Sequence, residues 1–362
     1  MNIILENTGL TLALKAVSRI APPSNGNINI KCDGNNLKIV SYSEASYCEY
    51  VVPCEAVSGQ AEFGIPIDAF RSAVQGRKKL SLTYKDTTLQ IKSGNFAINL
   101  ATVDAMDFDS SKQDAEEKEE TVQKWVLNTE QATWLKQAVS ACMLEPTSIN
   151  PNPALTISLN PKRAFVCCYG DDHLSFAVSK QIKGDMEVTV PAVTIASILE
   201  VFSKQTFKIV HTSTKLEVSN KLCKVAMSLP AAEYMDTEIL INKAQEVNKA
   251  KGKYITINKQ TILDFLTNAS ALDTKEKERG GISFIGDSSK LVMQIKAIAG
   301  QCKAVVKMNA DNISFTLDKL YFREAVSRGG EDITIKWIDE NGGMVYIPGK
   351  SSYFLIATWQ NT

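Results

Sequence analysis

At 362 residues and 39.7 kDa, the chain has room for two to four domains of roughly 100–200 residues each. Its 44% hydrophobic and 22% charged content is that of a globular protein, which excludes wholesale disorder. Forty Lys plus Arg against forty Asp plus Glu give zero formal charge; that excludes a uniformly basic coat but not a basic face offset by acid elsewhere.

The chain opens with MNIILENTGL, which lacks a basic n-region and carries Glu6 early, so no secretory signal is expected. No apolar run reaches the ~18 residues a membrane helix needs, and a cytoplasmic location without membrane contact is expected. Ile3 to Leu5 read as a strand. Asn7 then stands as N-cap, its side-chain oxygen available to an orphan helix N–H, for a helix over 7–21. A second helix follows Ile65-Pro66 over 68–79, and the alternating runs LSLTY, TLQIK and FAINLA read as half-buried antiparallel strands. The segment Ala101 to Asp107 closes this stretch. From Asp104 to Glu120 eight acids face Lys112 and Lys118, a solvated linker of net charge −6.

The same order then recurs. Trp125 to Leu127 lead to Asn128 and a helix over 129–142; AFVCCY runs to a turn at Gly170-Asp171-Asp172; Val190-Pro191 lead to a helix over 193–204. The strands FKIVH, KLEVS and KVAMSL follow, and the segment Pro230 to Asp236 closes the stretch. After a polar linker, Ala244 to Gly252, Tyr254 to Ile257 lead to Asn258 and a helix over 259–272. Phe315-Thr316 lead to a helix over 318–328, and ITIKW, GMVYI and YFLIATW end the chain. The three Asn positions are 121 and 130 residues apart, the pairs at 65, 190 and 315 are 125 apart, and Asp107 and Asp236 are 129 apart. FRSAV at 70–74 nearly repeats as FREAV at 322–326. Such recurrence predicts an α+β chain of three repeated domains, 1–120, 121–246 and 247–362, each with two helices packed on antiparallel sheets.

On the first helix Leu10, Leu14 and Val17 form an apolar stripe, with Lys15 and Arg19 stacked four apart. On the second, Ile67, Phe70 and Val74 form the stripe, and Arg71, Gln75 and Lys78 share another face. The six helical windows carry a net +6, so the remaining residues carry −6. Two readings fit. Long basic side chains can simply solvate an outer helix face, or the helices can share one surface toward a polyanion and contact phosphates without reading bases.

Eight cysteines lie in or beside apolar runs, without a C-x-x-C and with only His173 and His211, so buried small hydrophobes are expected rather than a metal site. No cofactor is expected. A thiol hydrolase at Cys167, Cys168 and His173 would need thiol, imidazole and carboxylate in mutual reach, but both cysteines sit inside a strand reading and Gly170-Asp171-Asp172 reads as a turn.

Three segments, with the repeat, carry a resemblance over nearly the whole chain. Residues 163–177, RAFVCCYGDDHLSFA, resemble a strand–turn–strand ending in T-D-G-H-R-L-A; residues 277–284, KERGGISF, resemble the opening of a third-domain sheet; and Ala-Met-Asp and Tyr-Met-Asp resemble domain-end segments. The family so resembled is the bacterial DNA polymerase III beta sliding clamp. The resemblance implies a DNA clamp fold and a ring-forming homodimer, two three-domain chains whose helices line a hole around double-stranded DNA without sequence preference. It makes phosphate contacts of Arg19, Arg71, Lys78, Arg323 and Arg328, with Lys15, Arg77, Lys136, Lys204, Lys259 and Lys319. It implies a non-enzymatic processivity factor, served by a clamp loader, whose hydrophobic cleft takes a DNA polymerase and other partners. By position that cleft would use Leu174, Phe176, Met235, Leu240, Leu355, Ile356 and Trp359. The chain departs from the family at the cleft: the Gly-His-Arg of the T-D-G-H-R-L-A motif is missing, Met235 stands where Pro is usual, and the terminus reads ATWQNT. A divergent clamp of a bacteriophage or other mobile replicon fits these departures. The alternative is a clamp-like protein that seizes replication or transcription partners without forming a ring.

Overall fold

The structure, a computed structural model, describes residues 1–33, 36–105, 123–143, 153–170, 173–212, 214–229, 237–272, 280–338, 344–348 and 353–357. The acidic linker expected after Met106, the turn residues 171–172, the domain-end aspartates and the C-terminal tail lie outside the described residues.

In chain order the elements begin with β1 (Asn2–Glu6), α1 (Asn7–Ile20), β2 (Asn27–Cys32), β3 (Asn36–Tyr42), β4 (Ser46–Pro53), β5 (Ala56–Ser58), β6 (Ala61–Pro66), α2 (Ile67–Val74), β7 (Lys79–Lys85), β8 (Thr88–Ser93) and β9 (Phe96–Ala101). Next come β10 (Gln123–Leu127), α3 (Thr129–Cys142), β11 (Ala154–Leu159), β12 (Ala164–Gly170), β13 (His173–Ser179), β14 (Met186–Pro191), α4 (Ala192–Phe202), β15 (Phe207–His211), β16 (Lys215–Ser219) and β17 (Cys223–Ser228). The chain continues through α5 (Thr237–Lys249), β18 (Lys253–Asn258), α6 (Lys259–Ala269) with a 3-10 turn (Ser270–Leu272), β19 (Gly281–Gly286), β20 (Lys290–Ala297), β21 (Gly300–Lys307), β22 (Ser314–Asp318), α7 (Lys319–Arg328), β23 (Asp332–Ile338), β24 (Met344–Pro348) and β25 (Tyr353–Ala357).

Two compact units result. The first comprises Met1–Thr133 and Ser197–Glu233, the second Trp134–Ala196 and Tyr234–Thr362. The first holds a five-stranded sheet, β5-β1-β7-β8-β9, and an eight-stranded sheet, β10-β15-β16-β17-β4-β3-β2-β6. The second holds an eight-stranded sheet, β14-β11-β12-β13-β25-β24-β23-β18, and a four-stranded sheet, β21-β20-β19-β22. All strand pairs are antiparallel, as the alternating sequence pattern predicts.

Each eight-stranded sheet is two four-stranded sets zipped along one seam. In the first unit β4 meets β17, with Cys48 opposite Val225. In the second, β13 meets β25, with Leu174 opposite Leu355. Among the described residues, β9 and β21 close their sheets as edges, each hydrogen-bonded on one side only.

Helical periodicity decides the cores. Leu10, Leu14 and Val17 of α1 are buried where the helix crosses β3 and β4, and Ile67, Phe70 and Val74 of α2 are buried as expected. The FREAV repeat behaves like its counterpart: Phe322, Ala325 and Val326 are buried while Arg323 is exposed, as Arg71 is beside Phe70. The Phe322 ring meets Phe284 edge-on at 5.2 Å, a geometry aromatic quadrupoles favour.

Three local expectations change. Asn128 caps α3 by accepting the Gln131 N–H at 2.9 Å, and Asn258 caps α6 by accepting from Gln260 at 3.0 Å. Asn7 does not cap α1. It is buried, and its amide donates to the Val74 and Arg77 carbonyls at 2.7 Å each, tying the start of α1 to the end of α2. The second helix stops at Val74, because Gln75 is extended and Gly76 takes a left-handed φ of 74°. Arg77 and Lys78 therefore lie in the turn before β7, not on a helix face. Most of the stretch expected to be the second linker is instead helical: α5 runs to Lys249.

Candidate nucleic-acid interface and docking face

The cations expected to meet phosphates fall into three groups. The first is exposed and lacks an acidic partner among the described residues: Lys78 and Arg323, with Lys204 just past the end of α4. Lys136 is half-buried on α3, and Lys319 packs over Gly280, whose carbonyl accepts the Lys319 backbone N–H at 2.9 Å.

The second group is exposed but paired. Arg71 lies 3.7 Å from Asp68, one turn back on α2. Lys15 and Arg19 of α1 both reach Glu200 of α4, Lys15 at 3.6 Å. Arg77 donates to the Gln75 carbonyl at 2.8 Å and lies over the Phe96 ring at 3.6 Å, so it is half-buried.

The third group is half-buried and bonded to backbone carbonyls. Lys259 donates to the Ser327 and Gly329 carbonyls at 2.7 and 3.2 Å, placing its charge at the carbonyl end of α7. Arg328 donates to the carbonyls of Ala141, at 2.8 Å, and Met143, and to Glu324 at 2.9 Å, with Phe354 beneath it. It latches α7 to the C-terminal end of α3, where helical carbonyls have no internal partner. Both were expected at phosphates and here meet backbone carbonyls, with the same cause: a cation near a helix C-terminus is attracted by the carbonyls there.

Three residues of the expected partner cleft, Leu174, Phe176 and Ile356, have described side chains. Leu174 and Phe176 point from β13 to one face of the second unit's sheet, where they are 7% and 4% exposed. They belong to an apolar cluster with Phe165, Cys167, Tyr346, Ile338 and Val247 of α5. Lys336 holds that helix down: it is buried, and its ammonium donates to the Val247 carbonyl at 3.2 Å. Val247, near the end of α5, thus packs onto this face. Ile356 lies opposite His173 in the pairing of β13 with β25, one residue out of step with Leu174 and Leu355, so it is buried on the other face. His173 packs there against Tyr321 of α7, ring centroids 3.8 Å apart. Tyr353, 37% exposed, extends the outer face by stacking on Phe176 at 5.2 Å and Tyr346 at 5.7 Å. Met235 and Trp359, with the side chains of Leu240 and Leu355, lie outside the described residues.

Cys167 and Cys168 are 0% exposed, and burial pushes the Cys142 and Cys167 thiols up, away from the thiolate a nucleophile needs.

No family model and no curated protein matches the sequence. Solved structures do match. A DNA polymerase III beta subunit from Thermotoga maritima aligns over 100% of both chains with a TM-score of 0.77 at 13% identity. A Pseudomonas aeruginosa sliding clamp bound to griselimycin aligns over 99% of each chain with a TM-score of 0.74 at 14% identity. A Helicobacter pylori beta clamp bound to a DNA ligase peptide gives 0.69 at 16% identity, covering 99% of this chain and 100% of that one.

This chain has the beta-clamp fold.

Within the beta-clamp fold, sequence reasoning missed three things. Glu200 is the one acid on α4 and was legible only as a cancelled charge. Leu240, Ala244 and Val247 recur at four and three, a helical signal in α5 that the surrounding polar residues masked. The edge status of β9 and β21 has no local signal at all, since their alternation matches that of paired strands.

Proposed function

We propose that this chain is a sliding clamp, a non-enzymatic processivity factor of the bacterial cytoplasm that encircles duplex DNA and tethers a polymerase. The observation that carries this reading is the repetition of the seam. In the set β6-β2-β3-β4 the last strand pairs with β17, the last strand of the set β10-β15-β16-β17. In the set β14-β11-β12-β13 the last strand pairs with β25, the last of β18-β23-β24-β25. Two sets are left over, and their unpaired last strands are β21 and β9. The same rule applied once more pairs β21 of one chain with β9 of the next. Repeated head to tail, such a contact either closes into a ring or continues as a filament. Domains at 1–120, 121–246 and 247–362 place each seam at a domain boundary. Two chains bring six similar units, which leave room for a duplex that three units lined by helices ~10–12 Å thick do not.

The phosphate contacts are then Lys78, Arg71, Arg323, Lys204, Lys15 and Arg19, without Arg328 and Lys259. A loader opens the ring, and polymerase docks on the second unit. Mass in solution and retention on nicked circular against linear plasmid test the reading together: a dimer that stays on circles and runs off linear ends is expected, and a monomer that stays on neither sinks it.

Charge reversal at Arg71 and Arg323 together is expected to weaken retention alike on all sequences, flattening the salt dependence by about one unit for each phosphate no longer neutralised. A change in sequence preference counts against phosphate contact. Deleting Trp359 to Thr362 is expected to abolish polymerase stimulation while the dimer and its hold on circles persist, since a central aromatic anchor is worth about 2 kcal/mol or more. Normal stimulation by the truncated chain removes the tail from the docking site.

A further inference from the structure

Glu200 is the only charged residue within α4, and it points at the two cations of α1. Lys15 and Arg19 lie one turn apart, so they share a side of their helix and one oxyanion serves both. The contact is wet: the side chains of Lys15, Arg19 and Glu200 are 45%, 50% and 33% exposed. Exposed ion pairs of this kind contribute little to stability. Arg328 differs, held by backbone carbonyls and Glu324 at 19% exposure. Lys78 and Arg323 differ in the other direction, since no carboxylate pairs with them among the described residues. The Lys15–Arg19–Glu200 group thus has the exposure needed to exchange partners.

We propose that Glu200 is a built-in competitor of DNA, a carboxylate that holds Lys15 and Arg19 when no phosphate is near and yields them when one arrives. The inference rests on the clamp reading and adds to it a residue that tunes affinity for phosphate. A carboxylate and a phosphate diester offer the same oxyanion chemistry to Lys and Arg. Each phosphate contact at α1 therefore replaces an existing ion pair, and its net gain is reduced by the pair it breaks. Glu200 also repels the approaching phosphate. The effect is to keep α1 a weak contact despite its two bases, which suits a surface that must move along a duplex.

The test is duplex affinity of the intact protein, read by anisotropy of a fluorescein-labelled linear duplex across a sodium chloride series. Glu200→Gln keeps the size of the side chain and removes its charge. It is expected to bind the duplex about 2- to 30-fold tighter at fixed salt, the range that two exposed ion pairs span. Lys15→Ala with Arg19→Ala, made in both backgrounds, completes a cycle: the loss of affinity is expected to be larger where Glu200 is Gln. Equal losses in the two backgrounds, or affinity of Glu200→Gln no higher than wild type, overturn the proposal while leaving the clamp reading intact. A wild-type protein that binds no linear duplex at any salt overturns this inference, while the clamp reading is decided separately by mass and by retention on circles.

Discussion

Ile98→Asp is expected to convert a dimer into a 39.7 kDa monomer and to abolish retention on circular DNA. Phe96, Ile98 and Leu100 alternate along one side of β9, each half-buried, and Cys302, Ala304 and Val306 do the same on β21. Pairing the two edges brings these side chains together. A carboxylate buried there without a partner costs several kcal/mol, enough to defeat a six-residue seam. Val306→Asp attacks the opposite edge and is expected to give the same monomer. Mixing the two variants restores one seam, β21 of the Ile98→Asp chain on β9 of the Val306→Asp chain, so an open heterodimer is expected that does not close around circles. Sedimentation of both variants, with circular dichroism to verify that each chain remains folded, reads the result. A dimer that persists in both places the interface elsewhere.

The second large effect separates two arginines five residues apart. Arg328→Ala is expected to destabilise the fold by about 2–4 kcal/mol, because it strands the Ala141 and Met143 carbonyls and the Glu324 carboxylate together. It is expected to leave the salt dependence of DNA binding unchanged. Arg323→Ala is expected to do the reverse: it is exposed and unpaired among the described residues, so stability stays within about 0.5 kcal/mol while the salt slope falls by about one unit. Denaturant unfolding and a salt titration on both variants check the pair. A stable Arg328→Ala with a flattened salt slope returns Arg328 to the phosphate set and contradicts the latch.

This contrast shows where sequence reasoning reaches its limit. The repeat made the fold legible because hydrophobic period and turn chemistry are local: FRSAV and FREAV bury the same three positions, and Asn128 and Asn258 cap their helices as read. The fate of a charge is not local. Arg19, Arg323 and Arg328 look alike along the chain, yet one finds Glu200 on another helix, one finds solvent and one finds helix-end carbonyls. The surroundings of the expected cleft residues were not legible for a related reason. Leu174 and Phe176 alternate correctly for one face, but the sequence pattern is silent on what packs against that face, and Val247 of α5 does. Ile356 followed Leu355 into the expected cleft by position, whereas a period of two must place consecutive strand residues on opposite faces.

The edges β9 and β21 differ in a way that bears on how the chain behaves before it finds its copy. An unpaired strand is a template for any other strand, and lysines on an edge deter indiscriminate pairing. β21 carries exposed Lys303 and Lys307 among its eight residues, so two copies of β21 meeting each other would bring like charges together along one seam. β9, FAINLA, has no charge at all and is guarded only by its length of six residues. The β21 edge is thus protected against self-association and the β9 edge is not. Aggregation of chains that have not yet assembled is therefore set by β9, and a lysine at Ala97 or Asn99, both exposed, is expected to raise the solubility of the unassembled chain.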